Sequence, residues 1–330
     1  MCSRARNPGP NWTGIEPSPC LIRGTAGPMS SHQPRLSIGI PVFNGDDFLS
    51  ETLDSLRAQT FDDFEIIISD NASTDRTEEI GRDYVQLDSR IRYSRNAENL
   101  GLSRNCNLLP PLARGSLFKW AMADDPYEVR FLEVCLAILD AHPDSVMACT
   151  QAQFIDAQGK EIQVTAPFFN LPFEDAFDRV HAVFRYRSWV NSILGVIRLE
   201  PLLETKLLPH YSGGDYALLA HLALRGKILE SPERLLRRRL HRHASSQVAD
   251  DSKRVGEMVT GKTGQRAFPE WSRLRDDLRT AVNPQFSFLE SLRLLAALGG
   301  RMRRVRARFL NELGWPLPPE ATTEKDKAIP

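Results

Sequence analysis

Leu36–Asp75, LSIGIPVFNGDDFLSETLDSLRAQTFDDFEIIISDNASTD, is the stretch that decides the fold. Leu36–Val42 is apolar-rich and ends in Pro41-Val42-Phe43-Asn44-Gly45. Phe48–Gln59 places Leu49, Leu53 and Leu56 at i, i+4 and i+7, which is one face of a helix. Asp46 or Asp47 is available to cap its first turn. Ile66-Ile67-Ile68 reads as a strand buried on both faces, as parallel strands are. It stops abruptly at Ser69-Asp70-Asn71-Ala72-Ser73. Two such strands joined by a helix make a βαβ unit with a right-handed crossover. Open α/β sheets bind ligands at the carboxyl ends of their strands. Pro41, Val42, Phe43, Asn44 and Asp70 are therefore the first site candidates.

The alternation continues outward. A helix capped by Ser73 or Thr74 runs to about Leu87, and Ile91-Arg92-Tyr93 is a short strand. Asn96–Asn105 is a Gly/Asn-rich turn opening a helix with Arg104 in its first turn, and helix N-termini attract anions. Leu117–Ala123 is a fourth strand that ends at Asp124-Asp125-Pro126. Adjacent carboxylates at a strand end are tolerated when water, donors or a cation surround them. A helix over Glu128–Ala141 and a strand over Val146–Ile155 follow. Gly195 lies in an apolar strand, where a missing side chain permits close approach or merely packing. Gly213-Gly214-Asp215 precedes a helix over Tyr216–Leu224, and Lys227–Leu229 is a last short strand. Arg237-Arg238-Arg239-Leu240-His241-Arg242-His243 comes next.

Residues 1–34, rich in Pro, Gly and Ser, read as a disordered arm, and 35–250 as the α/β domain, with 35–155 and 156–250 as its halves. From 251 to 330 the alternation is gone, and 291–310 holds six Arg and no acid among apolar residues. That reads as a basic amphipathic helical tail suited to peripheral contact with an anionic membrane. The 42 Lys+Arg and 42 Asp+Glu balance, which argues against a general nucleic-acid binder. The five cysteines form no CxxC pair, which suits a reducing cytoplasm. No apolar run approaches the roughly 20 residues that cross a bilayer.

Pro41–Asn44, Ser69–Asp75 and Ala123-Asp124-Asp125, in that order, with NLGLSRN between them and GGDYALLAHLALRGK behind, resemble the family 2 glycosyltransferases. The resemblance covers roughly residues 35–245. It implies an α/β GT-A fold, a mostly parallel Rossmann-like mixed sheet flanked by helices, here with a C-terminal helical extension. It also implies inverting transfer from a nucleotide-sugar donor, usually a UDP-sugar, to a glycan or glycolipid acceptor of the cell envelope, on the cytoplasmic side of the membrane. By the same resemblance Pro41, Val42, Phe43 and Asn44 lie against the nucleotide, Asp70 reads the base, and Arg104 meets the diphosphate. Asp125 holds Mg²⁺ or Mn²⁺, Asp124 meets ribose or donor sugar, Asp215 is the general base, and His241, or its neighbour His243, approaches the metal. The Ala-Asp-Asp here departs from a full Asp-x-Asp.

The chemistry needs these residue types. Departure of a diphosphate builds negative charge that a cation held by carboxylates neutralises, and a carboxylate on the opposite side of the sugar takes the acceptor proton. The bland readings are an Asx-turn at Asp70, a helix cap at Asp215 and a surface arginine at Arg104. A non-catalytic nucleotide-sugar-binding scaffold is the competing function. A nucleotidyltransferase is a third reading, against which the acidic loop Asn44-Gly45-Asp46-Asp47 speaks.

Overall fold

The computed structural model describes residues 33–163, 168–185, 191–241 and 269–304, with isolated positions at 257, 261 and 306. The expected arm at 1–34 and His243 lie outside the described residues, apart from Gln33 and Pro34. The strands are β1 Leu36–Val42, β2 Phe64–Asp70, β3 Ile91–Arg95, β4 Leu117–Trp120, β5 Ser145–Ile155, β6 Val196–Arg198 and β7 Lys227–Arg239. The helices are α1 Leu49–Arg57, α2 Thr77–Leu87, α3 Leu102–Leu108, α4 Phe131–Ala141, α5 Ala176–Arg185, α6 Leu199–Leu203, α7 Gly214–Ala223, α8 Pro269–Ala281 and α9 Phe288–Arg304.

The strands form one seven-stranded sheet in the order β3-β2-β1-β4-β6-β5-β7. β1 pairs in parallel with β2 on one side and β4 on the other. β6 is antiparallel to both neighbours, while β5 and β7 are parallel. Every residue of β1 and β2 is buried, as the uninterrupted apolar runs require of strands covered on both faces. α1 buries Leu49, Leu53 and Leu56 as its spacing predicted. It starts without a side-chain cap; the Asp46 N–H donates instead to Asp75. Asp75 also accepts from the Thr77 N–H at the head of α2, the role expected of Ser73 or Thr74. The chain leaves β1 toward β2 and β3 and returns through β4 on the other side. The switch point of the sheet therefore lies between the carboxyl ends of β1 and β4, where a crevice opens.

Two expectations change. β4 ends at Trp120, three residues early, because the chain turns to present Asp124 and Asp125 to β7. β7 runs for 13 residues, not three. Pairing passes from Thr150↔Ser231 to Gln151↔Arg234, so Pro232 and Glu233 are taken up in a bulge, the place where a sheet tolerates proline.

The C-terminal helices are present, and the stripe expected to face a membrane is divided: part of it turns inward, while Leu292, and Leu289 before it, stay exposed. Leu294 and Leu298 of α9 are 0% and 2% exposed, and α9 packs on α5 and α8. Arg301 points inward as well, onto Glu270 and Asp277. None of the helices among the described residues is long and apolar enough to cross a membrane.

The Gly195 question is answered by β5. A Cβ there would stand 2.3 Å from the Ala148 carbonyl oxygen and 2.7 Å from the Cys149 Cβ. A paired backbone cannot retreat, so Gly195→Ala is expected to destabilise by about 1–3 kcal/mol, read as a lower urea midpoint. An unchanged midpoint would mean the strands do not approach this closely.

On β7, Glu230 accepts from the Phe169 N–H. Burial, outweighing that bond and one from Gln151, pushes its carboxyl up from 4.5 to about 7. The folded state therefore holds the proton more tightly than the unfolded chain. This contribution to stability is complete below about pH 4.5 and is lost as the pH rises through about 7. Glu230→Gln should flatten the decline in unfolding free energy across that window. Parallel declines in variant and wild type would assign it elsewhere.

Candidate active site

The registers bring Val42, Asp70 and Arg95 into one row at the carboxyl ends of β1, β2 and β3. The two loops that follow β1 and β2 are stitched together. The Asn44 N–H donates to Ser73 Oγ at 2.9 Å, Asn44 Oδ1 accepts from the Thr74 N–H at 2.8 Å, and the Gly45 N–H donates to Thr77 Oγ1 at 2.8 Å. Asn44 adopts φ 51°, a left-handed conformation that asparagine tolerates. Pro41 and Val42 are buried, and Phe43 is left 47% exposed at the rim.

Asp70 is fully buried. Its Oδ1 accepts from the Ser73 N–H at 2.8 Å, and its Oδ2 accepts from Tyr93 Oη at 2.6 Å and Arg95 Nη1 at 2.5 Å. Burial first, and then the Asp70 carboxylate, push the Tyr93 phenol well up. The asparagines of the NLGLSRN region serve structure. Asn105 bonds Ser69 through both ends of its amide, and Asn71 holds Asn99, Asn96 and the Leu100 N–H. Arg104 is exposed. Its charge helps burial to lower the His210 imidazole, which places Arg104 toward the loop before α7.

The acid pair after β4 divides sharply. Asp125 is fully buried; its Oδ1 accepts from the Arg239 N–H at 2.8 Å and its Oδ2 from the Arg238 guanidinium. Burial, only partly offset by Arg238, raises its carboxyl to about 6. Asp124 keeps 24% of its side chain exposed, and its Oδ2 lies 2.9 Å from His241 Nε2. Burial would raise Asp124, but the His241 contact and the Arg238 charge outweigh it and hold the carboxyl low. Asp125, expected to face the cation, is thus fully buried against Arg238 and Arg239, and Asp124 is the more exposed of the two acids.

The end of β7 makes this possible. The Arg237 N–H donates to the Pro126 oxygen at 3.0 Å, and the Glu128 N–H donates to the Leu235 oxygen at 2.9 Å. Arg239, 1% exposed, donates to the backbone oxygens of Asp124, Asp156 and Ala157 and to Glu51. The Phe48 ring lies against both the Arg239 guanidinium and the His241 ring, at 4.6 and 4.9 Å. Beneath the pair, fully buried Lys119 donates to the Trp120 oxygen and sits 4.0 Å over the Tyr127 ring. Burial lowers its amine to about 7.

Asp215 lies in the first turn of α7, half-buried. Burial raises its carboxyl, opposed by Arg273, by backbone N–H groups and by Arg238. The Arg238 charge bears directly on Asp125 and Asp124 and, more weakly, opposes the rise of Asp215. Reading the sequence as a series of motifs missed Arg238, Arg239 and Lys119. The available signal was three consecutive arginines in a strand pattern, since buried arginines need buried acids.

A separate depression of about 620 Å³, lined by Ser116, Leu117, Arg198 and Glu204 among others, opens at the start of β4. It lies at the other end of that strand from the acid pair. Its Arg198 is held by the Ser145 and Leu139 oxygens, and its Glu204 by Arg225.

Residues 37–189 match the profile of Glycosyl transferase family 2. The uncharacterized glycosyltransferase EpsJ of Bacillus subtilis (strain 168) is 40% identical over 92 residues, 28% of this chain and 26% of that protein. The putative glycosyltransferase EpsH of the same organism is 32% identical over 123 residues, 37% of this chain and 36% of that protein. The aligned stretch is thus well under half the length of either relative. Among solved structures, S. aureus TarS 1-349 in complex with UDP-GlcNAc superposes with a TM-score of 0.64 at 17% identity, over 85% of this chain and 80% of that one. At that identity the likeness is one of fold.

The Asp125–Arg238 pair invites a double-mutant cycle. Arg238→Met alone leaves a buried carboxylate uncompensated and is expected to cost about 3–5 kcal/mol of stability. Adding Asp125→Leu should recover most of it. A double variant no more stable than Arg238→Met would show that the pair is not the source of the loss.

Proposed function

From the match of residues 37–189 to Glycosyl transferase family 2 and the fold likeness to TarS, we propose that this chain is a metal-dependent inverting glycosyltransferase acting on a nucleotide-sugar donor. The observation that carries the reading is the Asp124–His241 contact of 2.9 Å at the switch point of the sheet.

Among the described residues there is no cluster of three or more His, Cys, Asp or Glu for a cation. The protein would therefore supply two ligands, Asp124 and His241, and substrate phosphates and water the others. That donor set suits Mg²⁺ or Mn²⁺, which bind through one or two carboxylates together with substrate phosphates. Such a cation, when bound, neutralises charge on the departing diphosphate. Asp125 holds Arg238 and the β7 backbone in place, so that Asp124 and His241 meet.

Phe43 offers a face for the nucleobase, in the loop set by Asn44. Asp70, expected to read the base, is fully buried and taken up by Ser73, Tyr93 and Arg95, so it sets the loop against which the base lies. A UDP-sugar as donor is the choice the family resemblance favours. Asp215, made more basic by burial, takes the proton of the acceptor hydroxyl as that oxygen attacks the anomeric carbon. One displacement with one base inverts that carbon. A hydroxyl of a glycan or glycolipid is the acceptor class. Arg104, facing His210, belongs on this reading to the acceptor side rather than to the diphosphate.

The test is a calorimetric panel of UDP, GDP, dTDP and CDP, with and without Mn²⁺. One nucleotide is expected to bind in a metal-dependent way, and Asp124→Ala should weaken it at least tenfold, about 1.4 kcal/mol. Asp125→Asn should bind normally while unfolding more readily. If folded Asp125→Asn loses metal-dependent binding and Asp124→Ala keeps it, the roles of the two acids are reversed. Asp215→Asn should bind donor but not turn it over. Binding without turnover in the wild type, across acceptors, would favour the scaffold reading.

A further inference from the structure

α8 and α9 take no part in the chemistry above, yet they close on the turn that carries Asp215. The loop entering α7 is tied to α8, because Tyr211 Oη donates to Asp276 Oδ2 at 2.8 Å. Gly213 has φ +80°, and a Cβ built on it would stand 3.8 Å from Arg273 Nη1. The Arg273 guanidinium carbon lies 4.0 Å from the centre of the Tyr216 ring. Arg273 of α8 therefore rests on Gly213 and Tyr216, the residues that bracket Gly214-Asp215.

Arg273 is itself held from behind. Its Nε is 3.8 Å from Asp277 Oδ2, within ion-pair range, and that nitrogen is buried without a hydrogen-bond partner. Asp277 is 3% exposed and takes its short contact from Arg301 of α9, whose other nitrogen donates to Glu270 at 3.0 Å. Arg301 gives Asp277 its hydrogen bond, and Arg273 also faces that carboxylate, so the Arg273 cation acts on both Asp277 and Asp215.

We propose that Arg273 is a positioning residue for Asp215, so that the α8–α9 pair completes the active site by fixing the α7 entry turn. The inference rests on Asp215 being the base. The physical basis is a cation beside a carboxylate that burial alone would neutralise. Among the described residues, Arg273 of α8 and Arg238 of β7 are the charges that act on Asp215, and Asp124 and Asp125 share Arg238. Asp276 and Asp277 of α8 act on Tyr211, and Arg301 of α9 acts on Tyr216, the two tyrosines that flank the turn. On α5, Arg179 is engaged at the far end of α7, on the Ala223 oxygen at 2.7 Å. Among the charges that favour ionised Asp215, Arg273 acts more strongly than Arg238.

The test uses the full chain with ¹³C-labelled aspartate carboxyls. The resonance missing from Asp215→Asn reports Asp215. In Arg273→Gln its titration midpoint should rise, and Arg273→Lys should restore most of that shift. Arg273→Met removes the charge while keeping the stem's packing, and it serves if Arg273→Gln does not fold. With the nucleotide sugar selected by the panel, the acid limb of kcat/KM should move up by the same amount. Affinity for the nucleotide and Mn²⁺ should stay within twofold. An Asp215 midpoint that is unmoved in a folded, uncharged variant overturns the proposal. Full turnover in Asp215→Asn instead sinks the base reading, whatever the midpoint does.

Discussion

The grip of Arg238 and Arg239 on Asp125 is the constraint on which the rest of the site depends. Asp125 is removed from water, and a lone carboxylate there would be protonated or would destabilise the fold. It is matched by a backbone N–H and a guanidinium that come from the last residues of β7, 114 and 113 positions away. That match pins the carboxyl end of β7 to the loop after β4, across the intervening strands β6 and β5. His241 follows two residues after Arg239 and so arrives at Asp124 with little freedom of its own. Arg239 reaches onward to Glu51 of α1 and to the backbone after β5, so α1 and the loops after β4 and β5 meet at one side chain.

The same arrangement separates the two adjacent acids into different jobs. Asp125 is raised by burial and Asp124 is held low by His241 and Arg238. Neighbouring carboxylates whose environments push their proton affinities apart are the pattern expected of a functional site. Here the buried member organises the backbone and the more exposed member meets His241. Asp215 also feels the Arg238 charge, and Arg273 of α8 opposes its rise more strongly. The C-terminal helices pack on α5 and on the turn that enters α7.

The loops after β1 and β2 show how local chemistry sets a binding surface. Asn44, Ser73, Thr74, Asp75 and Thr77 satisfy one another's backbone groups, so both loops are held without burying Phe43. The Gly/Asn-rich segment after β3 is likewise zipped to β2 through amides. Its asparagines were read as a motif, and they act as hydrogen-bond partners for backbone that lies outside regular structure.

Much of this was legible in the sequence because it is local. Apolar runs of period two or less and leucines at helical spacing specify β1, α1 and β2. Acids and turn formers at strand ends mark Asp70, Asp124-Asp125 and Asp215, and the C-terminal residues read as helices from their pattern alone. What the chain could not reveal residue by residue depends on partners far apart in sequence. Which of two adjacent aspartates is buried follows from where β7 ends. Which part of the α9 apolar stripe turns to protein follows from the presence of α5 and α8 beneath it. The full length of β7 was hidden because Pro232 interrupts the pattern, and only pairing with β5 carries the strand through. Periodicity and turn chemistry are properties of neighbours along the chain, whereas burial and ion pairing belong to neighbours in space, and only the tertiary structure decides those.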